Sequence, residues 1–131
     1  MNIVKEVLDE IESALKDSKG LVAHQRRLAF SLSLGVVTLI EGYLDKIGVF
    51  KPGAKINHLW LKKNNENVKR LISRQIISPI GNIKNLDRLL GFAYELEKER
   101  NELAYGKPVS ESILRDKINL FLDFKKVIEN D

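Results

Sequence analysis

The residues with the most chemical content lie together in Glu99-Arg100-Asn101-Glu102-Leu103-Ala104-Tyr105-Gly106. At about 100° per residue, helical spacing sets Arg100 among Leu89, Ala93, Leu96 and Ala104, in the middle of an apolar stripe. A guanidinium cannot lose its proton, so at that position it must meet backbone carbonyls, an acid such as Glu41, water or a phosphate. A phosphate would make Arg100 an anion ligand with Asn101 beside it. The two histidines, His24 and His58, are far apart in the chain and have no carboxylate at metal-ligand spacing. They read as structural or surface residues, and no metal site is expected.

A second concentration of chemistry is charge. Between Lys51 and Arg74 the cations are Lys51, Lys55, Lys62, Lys63, Lys69, Arg70 and Arg74, against the single acid Glu66. That surplus of six exceeds the +4 net charge of the whole chain, so the basic balance is a local patch and the remainder is slightly acidic. A patch of this kind suits a polyanion, or else forms a solvated lysine-rich face. Other chemistries are excluded by what the chain lacks. With no Cys there is no disulfide, thiol catalysis or Cys-based metal site. The phosphate-loop, dinucleotide-binding and His-Glu-x-x-His patterns are absent as well, so no cofactor is expected.

The elements that must position these groups read as helices throughout. Residues 3–18 carry Ile3, Val7, Leu8, Ile11 and Leu15 on one face and end at Lys19-Gly20. Residues 21–47 read as one helix of about 40 Å. It is apolar or small all round from Leu28 to Ile40, which makes it the central element of a bundle, with or without a dimer face. Gly35 and Gly42 sit seven apart on one side, where another helix is expected to approach closely. The break at Gly48–Gly53 leads to a short helix over 54–63, with Ile56, Leu59 and Trp60 inward, and another over 66–77. Residues 82–105, capped by Asn82 or Asn85, form the next long helix and end at Gly106-Lys107-Pro108. A final helix spans 111–129 behind the Ser110 cap, with Ile113, Leu114, Ile118, Phe121, Leu122 and Val127 or Ile128 as its apolar positions. The fold class is all-α, an up-down bundle of four main helices with a small helical insertion after the second.

The chain of 131 residues suits a single domain, 1–131, with 44% hydrophobic and 31% charged residues, the balance of a folded chain. Acids appear before any apolar core in Met1–Glu6, unlike a signal peptide. The longest uncharged run, Leu28–Ile40, has 13 residues against the roughly 20 that span a bilayer. A cytoplasmic protein without membrane association is the expectation.

The motif and its frame resemble the HEPN family (higher eukaryotes and prokaryotes nucleotide-binding). Its four-helix bundles carry Arg-x(4–6)-His near the end of the third main helix, often with Asn after the Arg. Arg100-Asn101 falls at that place. The second helix running out through Glu41–Gly53, and the last helix opening after Tyr105–Ser110, also look like the small prokaryotic members. The resemblance covers most of the chain. It implies a homodimer in which two copies of the motif line one cleft. Active members are metal-independent ribonucleases, their Arg stabilising the phosphoryl charge and their His moving a proton. By position, Arg100 becomes the phosphate ligand and Asn101 its polar companion. Tyr105 stands where the His belongs. With a reference pKa of about 10, a tyrosine is a poor base at neutral pH, although it can donate a hydrogen bond or stack on a base. RNA or nucleotide binding with lost or weak catalysis is therefore the leading expectation, and a toxin-like endoribonuclease the alternative. Many family members also pair with a small nucleotidyltransferase, so an interaction subunit with such a partner is a further alternative, and in some members a tyrosine two positions after the His is modified. Here that position is Lys107.

Overall fold

The computed structural model describes residues 2–130, and its described residues are all-helical apart from one isolated β-bridge. The helices are α1 (Ile3–Lys16), α2 (Gln25–Lys46), α3 (Asn65–Ser73), α4 (Leu86–Glu97), α5 (Arg100–Tyr105) and α6 (Glu111–Glu129). Short 3-10 turns occupy Leu21–His24, His58–Lys62 and Ile80–Asn82.

Local sequence accounts for most of the helix ends. Asn2 caps α1 by accepting from the Lys5 amide, Asn64 caps α3 through the Asn67 amide, and Ser110 caps α6 through the Ile113 amide. The chain turns at Gly20, whose φ of +89° favours glycine, and the Leu21 amide then donates to Glu111 Oε1 at 2.8 Å. A Cβ on Gly20 would sit 2.2 Å from that same carboxylate oxygen, so both backbone conformation and space require glycine there.

Helix α2 runs through the centre and packs against α1, α4, α5 and α6. The Leu21–Lys46 stretch is long and apolar enough to cross a membrane, and 56% of its most apolar window is buried within the protein. The uncharged run alone understates this element, because the apolar surface continues past Arg27 and Glu41 to Leu21 and Leu44, each at most 1% exposed. At its middle, a Cβ on Gly35 would lie 2.7 Å from the Phe121 ring of α6, so this glycine does permit close helix approach. Gly42 has nothing within 4 Å of an added Cβ, so the close approach expected on that side is confined to Gly35.

Three expectations are corrected. The first concerns residues 54–63, which contain only the 3-10 turn. Ile56 and Leu61 are its buried anchors, while Leu59 is 51% exposed. Second, the helix expected over 66–77 stops at Ser73, because Ile76 pairs with Phe50 in the antiparallel bridge. The Lys51 amide donates to the Gln75 carbonyl and the Ile77 amide to the Val49 carbonyl, closing the insertion at its base. Third, the helix expected over 82–105 is two helices. It begins at Leu86 after Asn85, which adopts a left-handed φ of 60°, and it breaks at Lys98-Glu99. No Gly or Pro marks that break. Instead Lys117 of α6, only 9% exposed, donates to the Glu95 carbonyl at 2.8 Å and to Glu99 Oε1 at 2.9 Å. A cation at the last turn of α4 satisfies a carbonyl left open there and fixes the kink.

Candidate functional site

Arg100 is the first residue of α5, immediately after the kink. The Lys117 ammonium holds the Glu99 carboxyl below its usual range, chiefly by the hydrogen bond and then by its charge. At the other end of α5, the buried Gln25 side chain donates to the carbonyls of Leu103 and Lys107 and accepts from the Val109 amide. Arg26 Nε donates to the Ala104 carbonyl at 3.1 Å. The bonds to Leu103 and Ala104 satisfy carbonyls that a six-residue helix leaves open, and the whole set fastens the motif and the residues after it to the start of α2. Sequence reading did not single out Gln25 or Arg26, because polar residues at the start of an apolar helix give no sign of their distant partners.

The Arg100 side chain takes neither the Glu41 carboxylate nor a backbone carbonyl. Glu41 Oε2 instead accepts from the Ile56 amide at 2.7 Å and ties the insertion to α2. Arg100 makes no ion pair with any described residue, and one of its terminal nitrogens donates to Asn101 Oδ1 at 3.1 Å. Its guanidinium carbon lies 5.0 Å from the centre of the Phe30 ring, within cation–π range. Its Nε is buried without a hydrogen-bond partner in the protein. Tyr105 meets Phe30 edge to face, with ring centres 5.8 Å apart and planes at 75°, and it is 70% exposed. Arg100 and Tyr105 of the motif thus both contact Phe30, which belongs to α2.

Arg100 lines a cavity of about 550 Å³ between α2 and the insertion, along with Phe30, Leu34, Lys55, His58 and Trp60. This cavity brings His58 to the motif, a placement the sequence gave no means to anticipate. His58 Nδ1 stands 3.4 Å from Oε2 of Glu97, and the Glu97 residue is 0% exposed. The two groups face each other without hydrogen-bond geometry, so His58 Nδ1 and both Glu97 oxygens are buried without partners in the protein. Glu97 did carry a sequence signal. It lies four residues after Ala93 and seven after Leu90, on the same apolar stripe as Arg100.

The seven cations of the 51–74 segment do not converge. Lys55 lines the Arg100 cavity. Lys62 and Lys63 line a separate groove with Tyr94. Lys69 pairs with Asp87 at 2.5 Å, Arg70 bonds Asn67, and Lys51 donates to the carbonyl of Arg74. The insertion is too folded on itself to present one continuous basic face. His24 belongs to a different cluster, with Nε2 2.7 Å from Asp17 and Nδ1 3.1 Å from a terminal nitrogen of Arg27. Among the described residues no group of three or more His, Asp or Glu side chains is placed to hold a metal ion.

Neither the protein-family models, nor the curated proteins, nor the solved structures contain a match to this chain, so the reading of the site stands on its geometry alone.

Proposed function

We propose that the chain is a HEPN-like helical protein that binds RNA or a nucleotide in the Arg100 cavity as a homodimer. In this reading α1, α2, the kinked α4–α5 pair and α6 are the four members of an up-down bundle, and the 47–85 segment is the insertion after the second. The observation that carries the reading is a guanidinium with no acid partner, laid on an aromatic ring at the wall of a cavity. An arginine neutralised by a carboxylate would be a structural ion pair. Arg100 has no such partner, and its planar fork matches a phosphate.

The rest of the wall suits a nucleotide. Lys55 adds a second cation for the backbone, and Phe30 and Trp60 offer ring faces on which a base can stack. Phe30 and Leu34 are 37% and 48% exposed one helical turn apart on α2. With Tyr105 beside them they make an apolar margin that a second copy would cover, setting two Arg100 side chains on one cleft. Tyr105 is no substitute for a motif histidine as a base, so the motif by itself binds and does not cleave.

The test is a salt titration of binding to single-stranded RNA, with sedimentation to give the oligomeric state. Affinity should fall steeply with salt, as phosphate contacts require. Arg100→Ala should reduce affinity by about tenfold or more, a loss in the range of a charge-assisted hydrogen bond. Unchanged affinity in that variant would remove Arg100 from the site.

A further inference from the structure

We infer that the groove between the insertion and α4, with a volume of about 440 Å³, binds a small organic carboxylate: a molecule with an apolar body and one acidic head. This site is separate from the Arg100 cavity and shares no lining residue with it.

The floor of the groove is apolar. Leu61 comes from the 3-10 turn, Val68 from α3 and Leu90 from α4, and each is at most 5% exposed. Tyr94, one helical turn after Leu90, adds an aromatic side chain that is 43% exposed. The volume lies within the range of about 300–1,000 Å³ that small-molecule clefts occupy.

Gly91 distinguishes this groove from an incidental dip in the surface. It lies in the middle of α4, where a glycine weakens a helix relative to alanine. Gly35 of α2 has a reason in the protein, the Phe121 ring packed against it. Gly91 has none, because nothing lies within 4 Å of an added Cβ. Gly42 is equally open but adjoins neither cavity, whereas Gly91 lines the groove. The room that a side chain would take is thus kept clear at a concave, apolar wall.

Charge at the rim selects the ligand. Lys62 and Lys63 line the groove, and neither ammonium is engaged by a described residue. Asp87 is the one acid among the lining residues, and it is already occupied by Lys69 at 2.5 Å and by Asn65 Nδ2 at 3.1 Å. Two unpaired cations therefore stand over an apolar floor with no free acid. An anionic head is favoured at the rim, and an apolar body on the floor. An ammonium is a point charge without the planar fork of a guanidinium, so two lysines can share a single carboxylate.

The probe is 4-phenylbutyrate, titrated into the isotopically labelled protein and followed by NMR. It should bind with a Kd of about 1 mM or tighter, as expected of a fragment of about twelve non-hydrogen atoms, and shift the amides of Leu61, Lys62 and Gly91. The same body with the opposite charge, 4-phenylbutylamine, and the same charge without the body, acetate, should each bind about tenfold more weakly or worse, the size of losing one charged or apolar contact. Gly91→Leu fills the groove without meeting any group of the protein. It should weaken 4-phenylbutyrate binding by about tenfold while raising the melting temperature, because leucine is the better helix former. The double variant Lys62→Gln/Lys63→Gln alters only the rim and should weaken the carboxylate severalfold without affecting the amine, which keeps the test open if Gly91→Leu perturbs the fold. The proposal is overturned by absence of binding, by equal affinity for the amine and the carboxylate, or by affinity unaltered in either variant. A dimer that dissociates in Gly91→Leu would give the groove to a second copy and overturn it as well. Affinity for single-stranded RNA should be the same in Gly91→Leu as in the wild-type protein, and its loss there would assign the groove to RNA instead. Failure of Arg100→Ala to alter RNA affinity bears on the Arg100 cavity alone.

Discussion

His24 and His58 each face a carboxylate, and the two pairs are built in opposite ways. His24 is 5% exposed with both ring nitrogens engaged, Nε2 by Asp17 and Nδ1 by Arg27, and with Glu10 a further 3.6 Å away. Its contacts hold the end of α1 to the start of α2. The His58 side chain is 32% exposed at a cavity wall, and the buried atoms between it and Glu97 are left unbonded. Closed polar networks add stability, whereas an open one costs it and persists where something other than stability is selected. The same two residue types thus form a closed joint between α1 and α2 and an open contact at a cavity wall.

The sharpest way to break this contrast is to remove the closed pair. His24→Ala should destabilise the protein by about 2–3 kcal/mol, the sum of a small cavity and stranded polar partners, measured by urea unfolding. Glu97→Leu should do the reverse and raise stability by about 1–3 kcal/mol, because it removes an unsatisfied buried acid from an apolar stripe. A loss in that variant comparable to His24→Ala would show that Glu97 is as structural as His24. Next in size is Lys117→Met, expected to cost about 1–2 kcal/mol by opening the kink that starts α5. It should also weaken RNA binding by severalfold, since Arg100 moves with the kink. The smallest effect is on acid stability. The Asp17 carboxyl is held below its usual range, first by the Lys19 amide and then by His24. Glu99 is held down by Lys117. Both contributions are complete above the ordinary carboxylate range and disappear as pH falls through the depressed values. Urea midpoints between pH 5 and pH 2 should therefore decline less steeply in Lys117→Met than in the wild-type protein.

The helical character of the chain was legible because capping residues and 3.6-residue spacing are local. Ser110 capped the last helix as its type predicts, whereas the first helix ended at Lys16, before the Gly20 stop. Arg100 was legible as a charge on an apolar stripe, and Glu97 lay on the same stripe. The break at Lys98-Glu99 was not legible, because its cause is a lysine about twenty residues further on. His58 was hidden for a related reason. Its position depends on the path of the insertion, which is set by the Glu41–Ile56 bond and the Phe50–Ile76 bridge, and neither contact follows from spacing. The dispersal of the basic residues had the same origin, since charge counted along a segment assumes a common face and this segment is folded on itself.

The bridge between Phe50 and Ile76 has a consequence for how this site can diverge. It ties the two ends of the insertion together beside the bundle. Residues added or lost between those ends alter the lobe without shifting the helices on either side, because the cost of closing a loop grows only slowly with its length. The wall that carries Lys55, His58 and Trp60 can thus be rewritten while the wall that carries Arg100 stays in register. Related proteins can keep the arginine wall and exchange the groups set opposite it.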